Sequence, residues 1–239
     1  MTSDPRSSSG RPLGPALPDW SPRSLPPRRI LEGEACRLEP LDLDLHGDDL
    51  VAAFRDTDLE SWRYLLAGPF ANDADCRHWL AEVAARTHEV PYALIDLATG
   101  RTTGMASYMR IEPGHGVIEV GNIHYSDGLK RTRAATEAMF LMMRHAFDDL
   151  GYRRYEWKCD GFNAPSRRAA QRLGFVFEGI FRQHMVIKGH SRDTAWFAIV
   201  DSDWPRLKQV YEQWLSPGNF RDGCQRVALS DLIAAAREG

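Results

Sequence analysis

The stretch that decides the fold opens the strongest helical pattern of the chain and reads Lys130-Arg131-Thr132-Arg133-Ala134-Ala135-Thr136-Glu137-Ala138. From residue 130 to residue 150, alanine, methionine and leucine recur at intervals of three and four residues, which is the spacing of one helix face. Gly151 follows at the position where a glycine commonly ends a helix. Three cations stand in the first turn of this predicted helix, so its start is locally basic.

Strand patterns lie on both sides of this helix. The predicted strands are residues 35–41, 91–97, 102–111, 117–125, 152–158, 175–187 and 194–200. The predicted helices are residues 44–54, a segment from about 58, a segment from 72 or 73, 130–150, 163–174, 207–215 and 229–236. Turn sequences separate the second, third and fourth strands, which favours an antiparallel meander. Helices that interrupt a mostly antiparallel sheet predict an α+β fold.

The composition favours one folded domain behind an N-terminal tail. Residues 1–29 contain seven of the 14 prolines and five arginines against two aspartates, and we expect them to be disordered. Because the whole chain carries a net charge of −3, the remainder is acidic, which disfavours a nucleic-acid-binding core. The recognisable pattern ends at Trp204-Pro205. We therefore expect a domain over residues 30–205 and a helical extension over residues 206–239.

The cysteines and the apolar runs argue against several other classes of protein. The four cysteines are widely spaced, so we expect neither a metal site nor a disulfide scaffold, and such usage is typical of a reducing cytoplasm. No apolar run reaches the roughly 18 residues that a membrane span needs. The N-terminus lacks the apolar segment of a secretory signal. These features predict a cytoplasmic protein that does not bind a membrane.

Seven further motifs follow the basic helix start in a fixed order. They are His145-Ala146-Phe147, Leu150-Gly151-Tyr152, Asn163-Ala164-Pro165-Ser166, Leu173-Gly174-Phe175, Glu178-Gly179-Ile180-Phe181-Arg182, Arg192-Asp193 and Asp203-Trp204. This ordered set resembles the GNAT N-acetyltransferase superfamily and, within it, the RimJ/RimL-like group. The resemblance covers residues 30–205. It implies the GNAT fold, in which a mostly antiparallel central sheet with a splayed strand pair is flanked by helices.

The resemblance also implies a site for acetyl-CoA, used as a cosubstrate. A helix N-terminus offers unpaired amides and partial positive charge to a pyrophosphate, and the splayed strand, residues 117–125, would hydrogen-bond the pantetheine arm. The implied coenzyme-binding residues are Ile123, Tyr125, Lys130, Arg131, Thr132, Arg133, Ala134, Ala135 and Asn163. Asn163 is equally well explained as a helix cap alone.

Arg133 departs from the family pattern, which has a glycine at this position so that the backbone can approach the phosphates. Two interpretations are open. The guanidinium of Arg133 binds a phosphate as a charge-assisted contact, or its Cβ crowds the pocket and weakens coenzyme binding. The neighbouring cations Lys130 and Arg131 favour the first interpretation.

Three residues are candidates for proton transfer during attack of an amine on a thioester. Glu119 and His124 share the 117–125 strand and could accept a proton, but regular alternation puts them on opposite faces unless a β-bulge intervenes. Glu119 is otherwise a surface or ion-paired strand glutamate, and His124 is otherwise an exposed turn histidine. The resemblance implies Ser166 as the donor to the leaving thiolate, because the tyrosine common one turn later in the superfamily is Ala170 here. A helix-start serine that satisfies backbone amides is the alternative.

The sequence leaves the acceptor open between a protein N-terminus and a small-molecule amine. The aromatic candidates for its pocket are Trp62, Tyr64, Phe70 and Trp79. The acidic residues that lean toward a polycationic acceptor, unless they are caps and surface, are Asp56, Asp58, Glu60, Asp73 and Asp75. The alternative function is a non-catalytic acyl-CoA-binding or interaction module with a degenerate phosphate turn. The resembling group also suggests a homodimer.

Overall fold

The computed structural model describes residues 11–221 and 224–238, and within them eight strands form one sheet. These strands are β1 (Leu31–Glu32), β2 (Cys36–Pro40), β3 (Val90–Asp96), β4 (Arg101–Glu112), β5 (Val117–Tyr125), β6 (Arg154–Asp160), β7 (Val176–Ile187) and β8 (His190–Val200). A separate pair consists of β9 (Phe220–Arg221) and β10 (Cys224–Gln225). The helices are α1 (Leu43–Arg55), α2 (Asp73–Ala84), α3 (Arg133–Arg144), α4 (Ala164–Arg172), α5 (Trp204–Leu215) and α6 (Leu229–Glu238).

The sheet is antiparallel except at its centre. Its strand order is β1-β2-β3-β4-β5-β6-β8-β7, and only β5 and β6 run parallel. Residues Val117–Val120 of β5 pair with Arg154–Trp157 of β6, and beyond these residues the two strands separate. The prediction of an α+β fold with a splayed strand pair is confirmed, as is the meander of β3, β4 and β5.

Helices cover both faces of the sheet. On one face α3 is buried along almost its whole length, and the Phe140 ring stacks on Tyr211 of α5 at 5.3 Å. On the other face α1 and α2 pack through Leu50, Phe54 and Leu80. Alternation of side chains along β3 and β4 supplies apolar residues to both layers.

A β-bulge at Asn122 changes which residues of β5 share a face. Asn122 has a positive φ of 49°, and the pairing with β4 shifts there from Ser107↔Gly121 to Met105↔His124. Because β5 has one extra residue at this bulge, Glu119 and His124 lie on the same face of the sheet, which is the face that packs on α1 and α2. Regular alternation is therefore the wrong guide across this strand.

Two helix predictions differ from the structure. The segment after residue 58 forms only a 3₁₀ turn, Leu59–Trp62, and the Trp62 carbonyl accepts hydrogen bonds from the Leu65 amide at 3.2 Å and from Lys188 Nζ at 2.9 Å. The 130–150 helix begins at Arg133, because Thr132 caps it, and ends in a π-helical turn, His145–Asp149. Residues 126–132 are left free to form a turn.

Residues 20–29 contact the folded domain through several side chains and carbonyls, while residues 1–10 of the predicted tail lie outside the described residues. Trp20 Nε1 donates to the Gly114 carbonyl at 3.0 Å, and the Ser24 carbonyl accepts from the Tyr152 hydroxyl at 3.0 Å. Arg29 pairs with Asp149. Contacts of Trp20, of Arg29 and of the Ser24 carbonyl hold this proline-rich segment against the domain.

The C-terminal helices belong to the same core as the sheet. The expected boundary at residue 205 falls inside α5, whose Trp204 ring stacks on Phe147 at 5.1 Å. Leu229 and Ile233 of α6 are buried in the same cluster as α3. None of the described helices is long and apolar enough to cross a membrane.

Candidate functional site

A cleft of about 1180 Å³ opens where β5 and β6 separate. The residues predicted for a site that line it are Ile123, His124, Tyr125, Lys130, Arg131, Thr132, Arg133, Ala135, Asn163 and Ser166. Two predicted residues are not in its lining: Ala134 is buried in the core, and Glu119 lies elsewhere on β5. The structure thus brings the basic turn, the splayed strand and the start of α4 around one space.

The start of α3 faces this cleft. Thr132 Oγ1 accepts a hydrogen bond from the Ala135 amide at 3.1 Å and donates to the Leu129 carbonyl at 2.8 Å, so it fixes both the turn and the helix. Arg131 has a φ of 65°, which reverses the chain just before the cap. A capped helix start of this kind concentrates positive charge at the cleft wall.

Lys130 ties the basic turn to the opposite wall of the cleft. Its Nζ lies 2.6 Å from Asp127 Oδ1 and 2.6 Å from Ser61 Oγ. Asp127 Oδ2 also accepts from the Asp58 amide at 3.1 Å. The hydrogen bond from Lys130 lowers the pKa of Asp127. Part of the basic charge expected here is therefore balanced by a carboxylate.

Arg133 lines the cleft but has partners of its own. Its Nη2 lies 2.6 Å from Glu34 Oε2 and 2.7 Å from the Leu215 carbonyl oxygen, and its guanidinium carbon lies 5.0 Å from the centre of the Phe220 ring. The guanidinium therefore joins the start of α3 to the C-terminal segment. Neither sequence interpretation anticipated these contacts.

Arg172 is a lining residue that the sequence reasoning missed. Its guanidinium donates to Thr136 Oγ1 at 2.8 Å, and burial lowers its pKa. Arg168, one turn earlier on α4, also lines the cleft, whereas Arg167 donates to the Gly161 carbonyl outside it. The four-residue spacing of Arg168 and Arg172, which puts both on one helix face, was the available signal.

Ser166 lines the cleft from the first turn of α4. Its Oγ accepts a hydrogen bond from Trp157 Nε1 at 3.0 Å, and its amide donates to Asn163 Oδ1 at 3.1 Å, which makes Asn163 the cap of α4. A hydroxyl that accepts one bond still carries its own proton as a donor. Cys159 is close by, and burial raises the pKa of its thiol, as befits a structural residue.

His124 lies in an aromatic cage at the wall formed by β5. Its ring centre is 4.8 Å from that of Trp79, 5.4 Å from that of Trp62 and 6.0 Å from that of Phe54. The residue is 5% exposed, so it is not the exposed turn histidine of the alternative reading. Burial lowers its pKa to about 3, and the ring is neutral near pH 7. Its Nδ1 has no hydrogen-bond partner among the described residues.

Glu119 is held in a buried ion-pair cluster. Its Oε2 lies 2.8 Å from Lys158 Nζ and 3.1 Å from Arg110 Nε. Burial raises the pKa of Glu119, although Lys158 and Arg110 act against this effect. The alternative reading, an ion-paired strand glutamate, describes this geometry, and the structure does not bring Glu119 to the cleft.

The candidate acceptor side is only partly assembled as expected. Trp62 and Tyr64 line the cleft, whereas Phe70 and Trp79 pack behind Trp62 and His124. Of the acidic residues, Asp58 and Glu60 line it. Asp58 caps the 3₁₀ turn and Glu60 pairs with Arg63, so much of this charge serves local structure.

No group of three or more His, Cys, Asp or Glu side chains in the described ranges could hold a metal ion.

Residues 36–176 match the family model described as an acetyltransferase (GNAT) domain. A solved GCN5-related N-acetyltransferase from Brucella melitensis is 49% identical with a TM-score of 0.89, and the match covers 91% of this chain and 100% of that one.

More distant structures extend the likeness. A probable GNAT-family acetyltransferase from Chromobacterium violaceum is 40% identical with a TM-score of 0.76, over 82% of this chain and 98% of that one. The microcin C7 self-immunity acetyltransferase MccE, solved with acetyl-CoA and AMP, is 16% identical with a TM-score of 0.62, over 70% of this chain and 93% of its own, which shows likeness of fold alone. None of the curated proteins matches the sequence.

Proposed function

This chain belongs to the GNAT acetyltransferase family, and on that basis we propose that it transfers the acetyl group of acetyl-CoA to a primary amine by direct attack in a ternary complex. The observation that carries the proposal is the cleft, because it joins a capped helix start, a splayed strand and Ser166 in one space. The order of motifs from His145 to Trp204 supports a position in the RimJ/RimL-like group.

The residues of the cleft fit a ligand with phosphates and an amide-rich arm. The capped start of α3, Lys130 and Arg172 supply positive charge and donors for the phosphates. Ile123 and Tyr125 lie on the part of β5 that no longer pairs with β6. Tyr125 lines the cleft, although its hydroxyl is buried in the core. Acetyl-CoA supplies the acetyl group, activated as a thioester.

Ser166 Oγ is the proposed proton donor. One lone pair of its oxygen accepts from Trp157 Nε1, which restricts the orientation of the hydroxyl, and its proton, which faces Cys159 Sγ here, must turn to the departing thiolate during the reaction. A hydroxyl donor near a departing thiolate is the chemistry that general acid catalysis requires.

His124 is proposed to position the amine and not to serve as a strong base. Its neutral ring lies at the cleft wall, although its Nδ1 is itself buried. With a pKa of about 3 it holds a proton poorly near pH 7, so the amine must arrive neutral or lose its proton to water. Trp62, Tyr64 and the acidic pair Asp58 and Glu60 form the proposed acceptor side.

The second candidate function is the non-catalytic acyl-CoA-binding module. It is favoured by the contacts that occupy Arg133 and by the weak basicity of His124. A cytoplasmic location and a homodimer stay predictions.

A turnover assay distinguishes an acetyltransferase from a non-catalytic acyl-CoA-binding module. The purified chain is incubated with acetyl-CoA and a panel of N-terminal peptides, polyamines, amino acids and aminoglycosides, and thiol release is followed with a colorimetric reagent. Since Cys224 is exposed, a reaction without amine gives the background. Amine-dependent thiol release with an acetylated product supports the enzyme. Coenzyme A binding in calorimetry without turnover across the panel supports the module, and absence of binding contradicts both.

A further inference from the structure

The tip of the β7–β8 hairpin holds a loop of the opposite layer through one lysine. Lys188 Nζ lies 2.9 Å from the Trp62 carbonyl oxygen and 3.3 Å from the Ala67 carbonyl oxygen, and it also donates to the Gly68 carbonyl. An ammonium group has three protons to donate and no acceptor. The three carbonyls therefore use all of its donors, although they lie at least 120 positions away along the chain.

The backbone of the hairpin turn is unusual for a lysine. Ile187 pairs with His190, so the turn consists of Lys188 and Gly189, whose φ angles are 48° and 77°. Two-residue turns with positive φ at both positions favour Asn, Asp and Gly, because a Cβ is crowded in this conformation. The hydrogen bonds of the Lys188 side chain offset that cost, and they give a physical reason for a long cationic residue at this position.

The bridge made by Lys188 crosses the open end of the cleft. Asp160 of β6 pairs with Thr194 of β8, so the hairpin tip extends past the end of β6 where β5 no longer pairs with it. The loop of residues 62–68 belongs instead to the helical layer that packs on β3 and β4. Lys188 therefore connects the two halves of the molecule where the sheet itself does not.

What the bridge fixes is an aromatic wall of the cleft. Gly68 has a φ of 58°, and a Cβ on it would stand 2.3 Å from Trp62 Cε3, so the Gly68 backbone lies directly against the Trp62 ring. Trp62 lines the cleft, and its ring centre is 5.4 Å from that of His124. After burial and Arg86, the charge of Lys188 adds to the lowering of the His124 pKa, which places the ammonium near this wall.

We infer that Lys188 is a positioning residue for the amine acceptor: it holds the loop of residues 62–68 against the hairpin and so fixes the place of Trp62 in the cleft. Lys188 is not in the cleft lining, so it acts through Trp62 and not on the amine itself. This inference rests on the proposed function, because it requires an amine to bind beside Trp62. Arg172 and Ser166 belong to α4 and are not held by this bridge.

Steady-state kinetics tests the role with the amine of the panel that gives the highest turnover. We expect Lys188→Met, which keeps the length of the side chain but removes the ammonium, to raise KM for that amine by about 5-fold or more. The kcat should stay within about 3-fold, and the coenzyme A affinity measured by calorimetry within about 2-fold, of the wild type. Lys188→Arg keeps the charge and several donors, so its amine KM should lie closer to the wild type.

The matched control is Lys208→Met. The Lys208 ammonium also has a partner, Asp148 Oδ2 at 2.8 Å, but it lies outside the cleft lining, so all three measurements should match the wild type. Hydrogen exchange of the coenzyme-free protein tests the bridge without turnover. Exchange at residues 59–70 should be faster in Lys188→Met and unchanged in Lys208→Met.

Two results would overturn the positioning role and leave the proposed function intact. The first is an amine KM that is unchanged in Lys188→Met. The second is an equal loss of amine and coenzyme A binding with faster exchange throughout the chain, which is the sign of general destabilisation. A wild type that turns over none of the amines would overturn the proposed function and this inference together, whatever the exchange at residues 59–70.

Discussion

Glu119 and Lys158 form a buried ion pair, with 2.8 Å between Glu119 Oε2 and Lys158 Nζ. Lys158 also lies 3.0 Å from Glu156, the residue directly opposite Glu119 in the parallel pairing of β5 and β6. Two carboxylates facing each other across a strand pair repel. The shared lysine, together with Arg110 on Glu119 and Arg154 on Glu156, balances them one residue before the last paired position of the two strands.

The first prediction follows from that geometry. We expect Glu119→Gln to lower the free energy of unfolding by about 1–3 kcal/mol, because Lys158 keeps one carboxylate and loses the other. We expect kcat to stay within about 3-fold of the wild type, because Glu119 does not line the cleft. Urea unfolding and the thiol-release assay measure the two effects.

Glu156→Gln is the matched control, since it removes the other carboxylate of the same lysine. The two variants should behave alike in stability and in rate. If Glu119→Gln lost 100-fold or more in kcat while Glu156→Gln did not, Glu119 would be the base and the structural role would be wrong.

The second prediction concerns Ser166. We expect Ser166→Ala to lower kcat by about 10-fold or more, because the proposed proton donor is lost, with KM for acetyl-CoA changed by less than about 2-fold. Steady-state kinetics over a range of acetyl-CoA concentrations separates the effect on kcat from the effect on KM. Ser202→Ala, at an exposed turn far along the chain, should match the wild type. An unchanged kcat for Ser166→Ala would refute the donor role.

The strands, the order of elements and the basic turn before α3 could be predicted from the sequence, because they depend on local spacing. Period-two alternation and the turn sequences between them mark β3 to β5, whereas the start of α3 at Thr132 lies three residues after the predicted start. Most of the site residues that were named from the family resemblance line the cleft, because they lie on these locally determined elements. These features need no knowledge of distant contacts.

What could not be predicted depends on contacts between distant residues. The bulge at Asn122 reverses the faces of β5, and no local pattern reveals it. Arg133 is held by Glu34 and by Leu215, which lie 99 and 82 residues away along the chain. The aromatic cage of His124 draws rings from α1, α2 and the 3₁₀ turn, so its low pKa is a property of the assembled fold.

The third prediction is a pH dependence of stability that originates at His124. Its pKa is about 3 in the folded protein against about 6.5 in an unfolded chain, so the unfolded state binds the proton more tightly. The stabilisation is complete above pH 6.5 and is lost as the pH falls toward 3. The slope approaches about 1.4 kcal/mol per pH unit in the middle of that window.

Unfolding free energies at pH 7, 6, 5 and 4 test this dependence. We expect the wild type to lose more stability on acidification than His124→Gln, and the exposed-site control His115→Gln to follow the wild type. Other titrating groups are common to all three proteins and cancel in the comparison. Parallel curves for the wild type and His124→Gln would show that the ring is not buried as a neutral group.

The last prediction separates a structural role of Arg133 from the two interpretations that the sequence left open. If the guanidinium holds the C-terminal segment against the cleft, Arg133→Gly should weaken coenzyme A binding by at least about 5-fold and make residues 214–221 more accessible to protease, because three contacts disappear together. Arg133→Lys keeps the charge, but an ammonium does not reproduce the planar fork that spans Glu34 and the Leu215 carbonyl. It should therefore resemble Arg133→Gly more than the wild type. Restored affinity in the lysine variant would mean that charge alone matters, and tighter binding by the glycine variant would mean that the Arg133 side chain crowds the phosphates.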